Sequence, residues 1–384
     1  MSHQSDGRTF VLFLIMISAV ILWDHRVKFC SSSVFGLTLG MFASIWWSPN
    51  FFDPEIFLYL LLPPILLNSA LKFEIKSLRK NWLSSLAFAS IGTLMSMLWI
   101  TWGLLVWPRG TTVEMTPVSA LLFASILAPT DTVATLALTK NIQMTDMYLF
   151  RVLENESVMN DALSVVLVHL FDSILESNGD ISRWVPVEVF VSAALSAFAS
   201  LLLGFLVAKL MNYWKTEHLT VHYMVSMLVY AVCECFDVSG ILGLFVYGAC
   251  VQEPEEFAKS VSSLSSIIEA YVYVMLGLLF QKYDWSSLGI SVLVLLSCIV
   301  GRIVMVFSIG HCLRVLGRHQ WTTKTMLFFS MCGIRGAISY ALCLSSGTDF
   351  MKSTTFVVIV STTLVFGALQ KCLAKLLLQR YINN

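Results

Sequence analysis

Eight charged side chains stand inside apolar stretches of this sequence: Asp131, Glu154, Glu156, Asp161, Glu234, Glu269, Arg302 and Arg335. A charge at the centre of a bilayer costs roughly 2.5–3.5 kcal/mol on insertion scales, so each needs a partner or a task. A carboxylate stem is also too short to carry its head to water from mid-span. The densest group is the stretch Leu153-Glu-Asn-Glu-Ser-Val-Met-Asn-Asp-Ala162. On a helix Ser157 and Asp161 are four residues apart and share a face, with Glu154 on the same side; Glu156 and Asn160 share a second face. The first face offers a carboxylate and a hydroxyl to a small cation. The second presents Glu156 to a basic residue on a neighbouring segment. The plainer reading of Asp161 is a structural carboxylate that holds helices together. Several acceptors in ten residues, with no basic residue among them, weigh against it.

Two further stretches interrupt apolar segments. In Ala128-Pro-Thr-Asp-Thr132 the proline lacks a backbone donor and clashes with the preceding turn, which frees carbonyls that then need partners. A membrane helix tolerates this where neighbours or a polar cavity satisfy the freed groups. Cys332-Gly-Ile-Arg-Gly336 is a second interruption, again in mid-segment. Each alone reads equally well as a kink. Two broken helices at matching positions in two halves are the sequence pointer to a transporter of inverted repeats, with its site at the breaks. There Asp131 is expected near exposed helix N-termini and Arg335 near exposed C-terminal ends, each neutralising the dipole end it faces. Thr130 offers a carbonyl or hydroxyl to the ion.

Lipid is the solvent such a chain requires. It has 384 residues, 57% hydrophobic and only 12% charged, with a mean hydropathy of +0.78, whereas soluble domains carry about 25% charged residues. Its net charge is zero, which gives no sign of a nucleic-acid partner. Thirteen apolar segments follow one another: 9–23, 34–48, 54–71, 82–107, 116–139, 148–172, 185–211, 219–235, 238–251, 261–281, 286–313, 324–346 and 354–378. Several approach the ~20 residues that cross the hydrocarbon layer. The division of 219–251 rests on Phe236 and Asp237 and is the weakest. With the N-terminus outside and the C-terminus cytoplasmic, the inside loops and end hold 17 basic residues against five outside, a strong positive-inside bias that merging any two spans would spoil. Segments five and twelve lie seven apart, as two six-helix repeats around one linker helix would place them, and the odd offset inverts the second repeat.

Met1 to Phe10 lacks the basic region and cleavage site of a secretion signal, so the first apolar run is expected to remain a span. About six residues follow the last span, so no cytosolic regulatory tail is expected in this chain. The nine cysteines are scattered and read as small buried hydrophobes. An intramembrane enzyme would need a nucleophile and base on one cavity or a metal-ligand cluster. His169 has no ligand spacing around it, so the sequence is read as that of a non-enzyme without a cofactor.

Four motifs carry a family resemblance. Ala128-Pro-Thr-Asp-Thr-Val-Ala134 resembles an interrupted-helix motif around Ser/Ala-x-Asp-Pro-Val-Ala; Asn155-Glu-Ser-Val-Met-Asn-Asp161 resembles Gly-Glu-Ser-Leu-Leu-Asn-Asp; Cys332-Gly-Ile-Arg-Gly-Ala-Ile338 resembles Gly-Gly-Leu-Arg-Gly-Ala. Tyr59-Leu-Leu-Leu-Pro-Pro-Ile65 resembles Leu-Leu-Pro-Pro-Ile of an early span. By these, from about residue 55 to 370, the sequence resembles the sodium/proton exchangers of the monovalent cation/proton antiporter superfamily. The resemblance implies a core domain of approximately 82–172 and 286–378, a dimerisation domain of approximately 9–71 and 185–281, and a homodimer working by an elevator-like shift of the core. It implies Asp161 as alternating carrier of a proton and a cation, with Asn160, Ser157 and Thr130 around it, and pairing of Glu156 with Arg302. Three departures stand out: Thr132 replaces a proline, Asn155 replaces a glycine, and Asn68 stands where an acidic residue is common.

One carboxylate suffices for exchange. In a water-poor site it keeps a proton until a cation displaces it, and it holds one or the other. If the empty, charged site does not cross, transport is obligatory exchange. Asn160 in place of a second aspartate argues for electroneutral 1:1 exchange of Na+ for H+. The alternatives are Li+ or K+ as the cation in the same fold, and a passive cation channel. Which membrane houses the protein is not encoded in these features.

Overall fold

Away from water each segment must satisfy its backbone hydrogen bonds internally or with close neighbours, which leaves helices as the spanning element of this composition. In the computed structural model every regular element among the described residues is a helix. The structure describes residues 2–26, 32–46, 54–73, 75–106, 115–131, 147–176, 185–215, 218–236, 238–252, 254–283, 288–318 and 320–378.

The elements are α1 (Ser2–Arg26), α2 (Ser32–Ser44), α3 (54–72), α4 (75–106), α5 (Pro117–Leu127), α6 (Met147–Glu176), α7 (Val185–Trp214), α8 (Leu219–Cys235), α9 (Gly240–Cys250), α10 (Glu255–Leu278), α11 (Leu288–Val315), α12 (Thr323–Met331), α13 (Ala337–Ser346) and α14 (Asp349–Leu378). Each of the thirteen apolar segments carries at least one of them. Among the described residues six helices are long and apolar enough to cross a membrane, and seven apolar helices are shorter. The chain is a polytopic α-helical membrane protein. α3 and α4 each contain a π-helical stretch, Phe57–Leu61 and Ala87–Gly92, the kind of local widening common at functional sites.

Segment twelve is split into α12 and α13 by the non-helical residues 332–336. In segment five α5 ends at Leu127 and residues 128–131 are non-helical; its continuation, 132–146, including Thr132, lies outside the described residues. The first halves of both segments start alike. Thr116 accepts from Ser119 N at 3.2 Å and Thr322 from Thr325 N at 3.3 Å, each occupying an otherwise orphaned donor of the first turn.

The helices pack in two groups. α2 lies along α10, flanked by α1 and α3, and α9 packs on α3, α7 and α8. α4, α5 and α6 pack on one another, and α11 joins α4, α12 and α14. α7 against α6 and α14 against α2 bring the groups together. Where α2 crosses α10, Gly40 and Gly277 meet: a Cβ on Gly277 would lie 2.7 Å from Gly40 Cα. Small residues at a crossing are how membrane helices gain close contact, since lipid supplies no hydrophobic drive between them.

Outward faces are apolar, as on α7 with Leu195, Phe198, Leu202 and Leu206. The cysteine expectation needs correction. Cys233, Cys298, Cys332 and Cys343 are buried, but Cys235 and Cys312 are exposed. Apolar character places a residue in a span but does not say which face of its helix is packed.

Candidate ion site

Thr130, in the break after α5, is gripped by α6. Asn160 Nδ2 donates to Thr130 Oγ1 at 2.8 Å and Ser157 Oγ donates to the Thr130 carbonyl at 3.2 Å. All three residues are buried, and among the described residues Asn160 Oδ1 has no hydrogen-bond partner. Asn160, which the helical wheel sets beside Glu156, thus reaches the α5 break rather than the Glu156 partner.

Asp161 is half-buried. It lines a cavity of about 50 Å³ together with Ser157, Asp131, Glu269, Tyr273 and backbone-rich residues of the two breaks, Pro129 and Gly336. Among the described residues no hydrogen bond reaches its carboxylate. The space admits a water or a small ion, and its donors are oxygens, which suit a hard cation.

The two breaks satisfy each other. Arg335, buried, donates through Nη1 to the carbonyls of Ala128 and Pro129, at 2.5 and 2.9 Å. These are carbonyls that the end of α5 leaves without intrahelical donors. In return Asp131 N donates to the Ile334 carbonyl at 2.7 Å. The Asp131 side chain abuts Gly336, the residue capping the N-terminus of α13, where a Cβ would lie 2.6 Å from Asp131 Cβ and 2.7 Å from Oδ2. Asp131 therefore sits at the positive end of one helix and Arg335 at the negative end of another.

On the other face of α6, Glu156 and Arg302 form a two-pronged ion pair, Nη1 to Oε1 and Nη2 to Oε2, the latter at 3.1 Å. Arg302 also donates to the Phe329 carbonyl at 3.4 Å, and its guanidinium lies 5.4 Å from the Phe329 ring centre. Neighbouring Asn155 donates to Ser85 at 3.0 Å.

Two titratable cavity residues fall outside the candidate set drawn from the sequence. Glu269, flagged there only as a mid-span acid, accepts from Ser265 at 2.7 Å and faces the cavity. Tyr273 donates to Asp131 Oδ2 at 2.7 Å. Both lie on α10, four residues apart on one face; the excess charge marked the first, whereas a tyrosine in an apolar run carries no signal.

A largely apolar cavity that holds the carboxylates of Asp131, Asp161 and Glu269 thus lies inside a bundle of apolar helices, where α5 ends and segment twelve is broken. The profile of the family described as "Sodium/hydrogen exchanger, transmembrane" matches residues 12–376, and the chain belongs to that family, one of secondary transporters rather than enzymes. Sodium/hydrogen exchanger 8 of Mus musculus is 25% identical over 95% of this chain and 71% of its own length. Sodium/hydrogen exchanger 4 of Arabidopsis thaliana is 28% identical over 85% of this chain and 70% of its own. The fold is similar to that of the sodium proton antiporter MjNhaP1 from Methanocaldococcus jannaschii at pH 8, with a TM-score of 0.73 and 21% identity over the whole of both chains.

Proposed function

We propose that this protein exchanges Na+ for H+ across a membrane, one for one, with Asp161 as the group that holds either. The observation that carries this is the placement of the Asp161 carboxylate in a small, largely apolar cavity, free of hydrogen-bond donors among the described residues, beside the end of α5, whose Thr130 is held by Ser157 and Asn160. A bound cation would take Asp161 together with oxygens of Ser157, Thr130 and Asn160, whose buried Oδ1 has no hydrogen-bond partner among the described residues. Asp131, which also lines the cavity beside the ion, and Arg335 set the electrostatics of the breaks. Glu156 and Arg302 hold the frame.

With a single carrier carboxylate the empty site is charged, and moving it through the bundle is far costlier than moving it neutralised. Exchange is then obligatory and electroneutral. The moving body is the core, approximately 82–172 and 286–378, sliding elevator-like against approximately 9–71 and 185–281, which also forms a homodimer. The packing of the helices in two groups supports this division. Thirteen spans in two inverted repeats, with the N-terminus outside or luminal and the C-terminus cytoplasmic, accord with the basic-residue bias.

The test is reconstitution of the full chain in liposomes with a pH-sensitive dye. Wild type is expected to move protons in response to Na+ gradients, with Li+ and K+ tested in parallel. Asp161→Asn should abolish the signal while the protein still inserts and runs as a monodisperse species. Full exchange by that variant would sink the assignment.

A further inference from the structure

Tyr273 belongs to α10, and so to the helical group that does not carry the breaks. Its hydroxyl donates to Asp131 Oδ2 at 2.7 Å, and the side chain of Ser33 of α2 lies beside the same hydroxyl. Both side chains are buried, Tyr273 at 4% exposure and Ser33 at 6%. A continuous polar chain therefore runs from α2 through α10 to the break after α5. Its far end is firmly seated, because Asp131 is tied through its amide to Ile334 and pressed against Gly336. One carboxylate thus connects both broken segments to the opposite group.

We propose that Tyr273 is a positioning residue that latches the group carrying Asp161 onto α2 and α10 in the access state seen here, and that each transport cycle breaks and remakes this bond. The inference rests on the exchange reading, in which one helical group moves against the other. Donor and acceptor sit on opposite groups, so a relative shift of a few ångströms removes the bond, which loses its strength steeply with distance and angle. A hydrogen bond to a charged acceptor in water-poor surroundings is of the stronger kind. Its loss shifts the ratio of the two access states by roughly tenfold, away from the one seen here. Tyr273 also lines the cavity of Asp161, so the latch lies at the carrier site itself.

Tyr273→Phe keeps the ring and its packing and removes only the hydroxyl. In liposomes holding the full chain, Na+ is titrated separately from each face. The expected result is a several-fold rise in maximal rate with a several-fold weaker apparent Na+ affinity from one face only, because the state open to that face becomes less populated. Unchanged rate and affinities, or equal changes from both faces, would overturn the latch, since a purely structural role has no sidedness. Absence of Na+-driven proton movement in wild type overturns the exchange reading instead. The bond is then judged by thermal unfolding of Tyr273→Phe, Asp131→Asn and the double variant. Losses that fail to add support a direct bond, and additive losses refute it.

Discussion

Glu156 and Asp161 are carboxylates of one helix, five residues apart, treated in opposite ways. Glu156 is gripped at both oxygens by Arg302, whose guanidinium is further fixed by the carbonyl and ring of Phe329. Asp161 faces a cavity, with no hydrogen bond to it among the described residues. Burying a charge is costly unless it is paired, and pairing fixes it in place. A carboxylate that must trade one ligand for another therefore cannot have a permanent cation beside it. The rigid pair on one side of α6 allows the other side to be left open without loss of the frame.

That contrast is broken most severely by neutralising each acid in turn. Asp161→Asn should leave thermal unfolding nearly unchanged while exchange disappears. Glu156→Gln should do the reverse: it strands a buried guanidinium, a change of about 3–5 kcal/mol, seen as a large drop in unfolding temperature and yield. Exchange per folded molecule should survive. Adding Arg302→Met to Glu156→Gln should recover part of the lost stability, because a buried apolar pair carries no desolvation penalty. A stability loss confined to Asp161→Asn would reverse the two roles. The next largest effect is expected at Gly336→Ala. Its Cβ would meet Asp131 Cβ at 2.6 Å, forcing apart the two breaks at a cost of about 1–3 kcal/mol. Exchange should fall in proportion, while the Glu156 pair is untouched.

Much of this is legible in the sequence. α8 spans 219–235 as the apolar pattern alone indicates. The break after it was faint in hydropathy because its cause is not hydropathic: Glu234 accepts from Gly240 N at 2.9 Å and Ser239 caps α9. α2 ends at Ser44 although apolar residues run on to Trp47, since apolarity marks lipid or core contact and not backbone geometry. Spacing alone put Ser157 and Asp161 on one face. It could not say what α10 turns toward α6, so Glu269 had no assigned place and Tyr273 went unmarked. Which faces of distant helices meet is tertiary information, and single-sequence periodicity fixes only the face within each helix.

The smallest expected effect sharpens where the open side of α6 begins. Ser157 lies between the two acids, and its hydroxyl both lines the cavity and donates to the Thr130 carbonyl at 3.2 Å. Ser157→Ala removes one neutral hydrogen bond, worth about 0.5–1.5 kcal/mol. If the hydroxyl oxygen is a ligand of the cation, that loss appears in binding: apparent Na+ affinity weakens by about three- to tenfold. The maximal rate changes little, because the carrier charge and its neutralisation are intact. If Ser157 instead belongs to the frame, as Glu156 does, affinity stays at the wild-type value and only unfolding temperature falls. Titrating Na+ against rate and measuring unfolding on the same preparation separates the two outcomes. The first keeps Ser157 with Asp161; the second narrows the open side to the carboxylate and the Thr130 break.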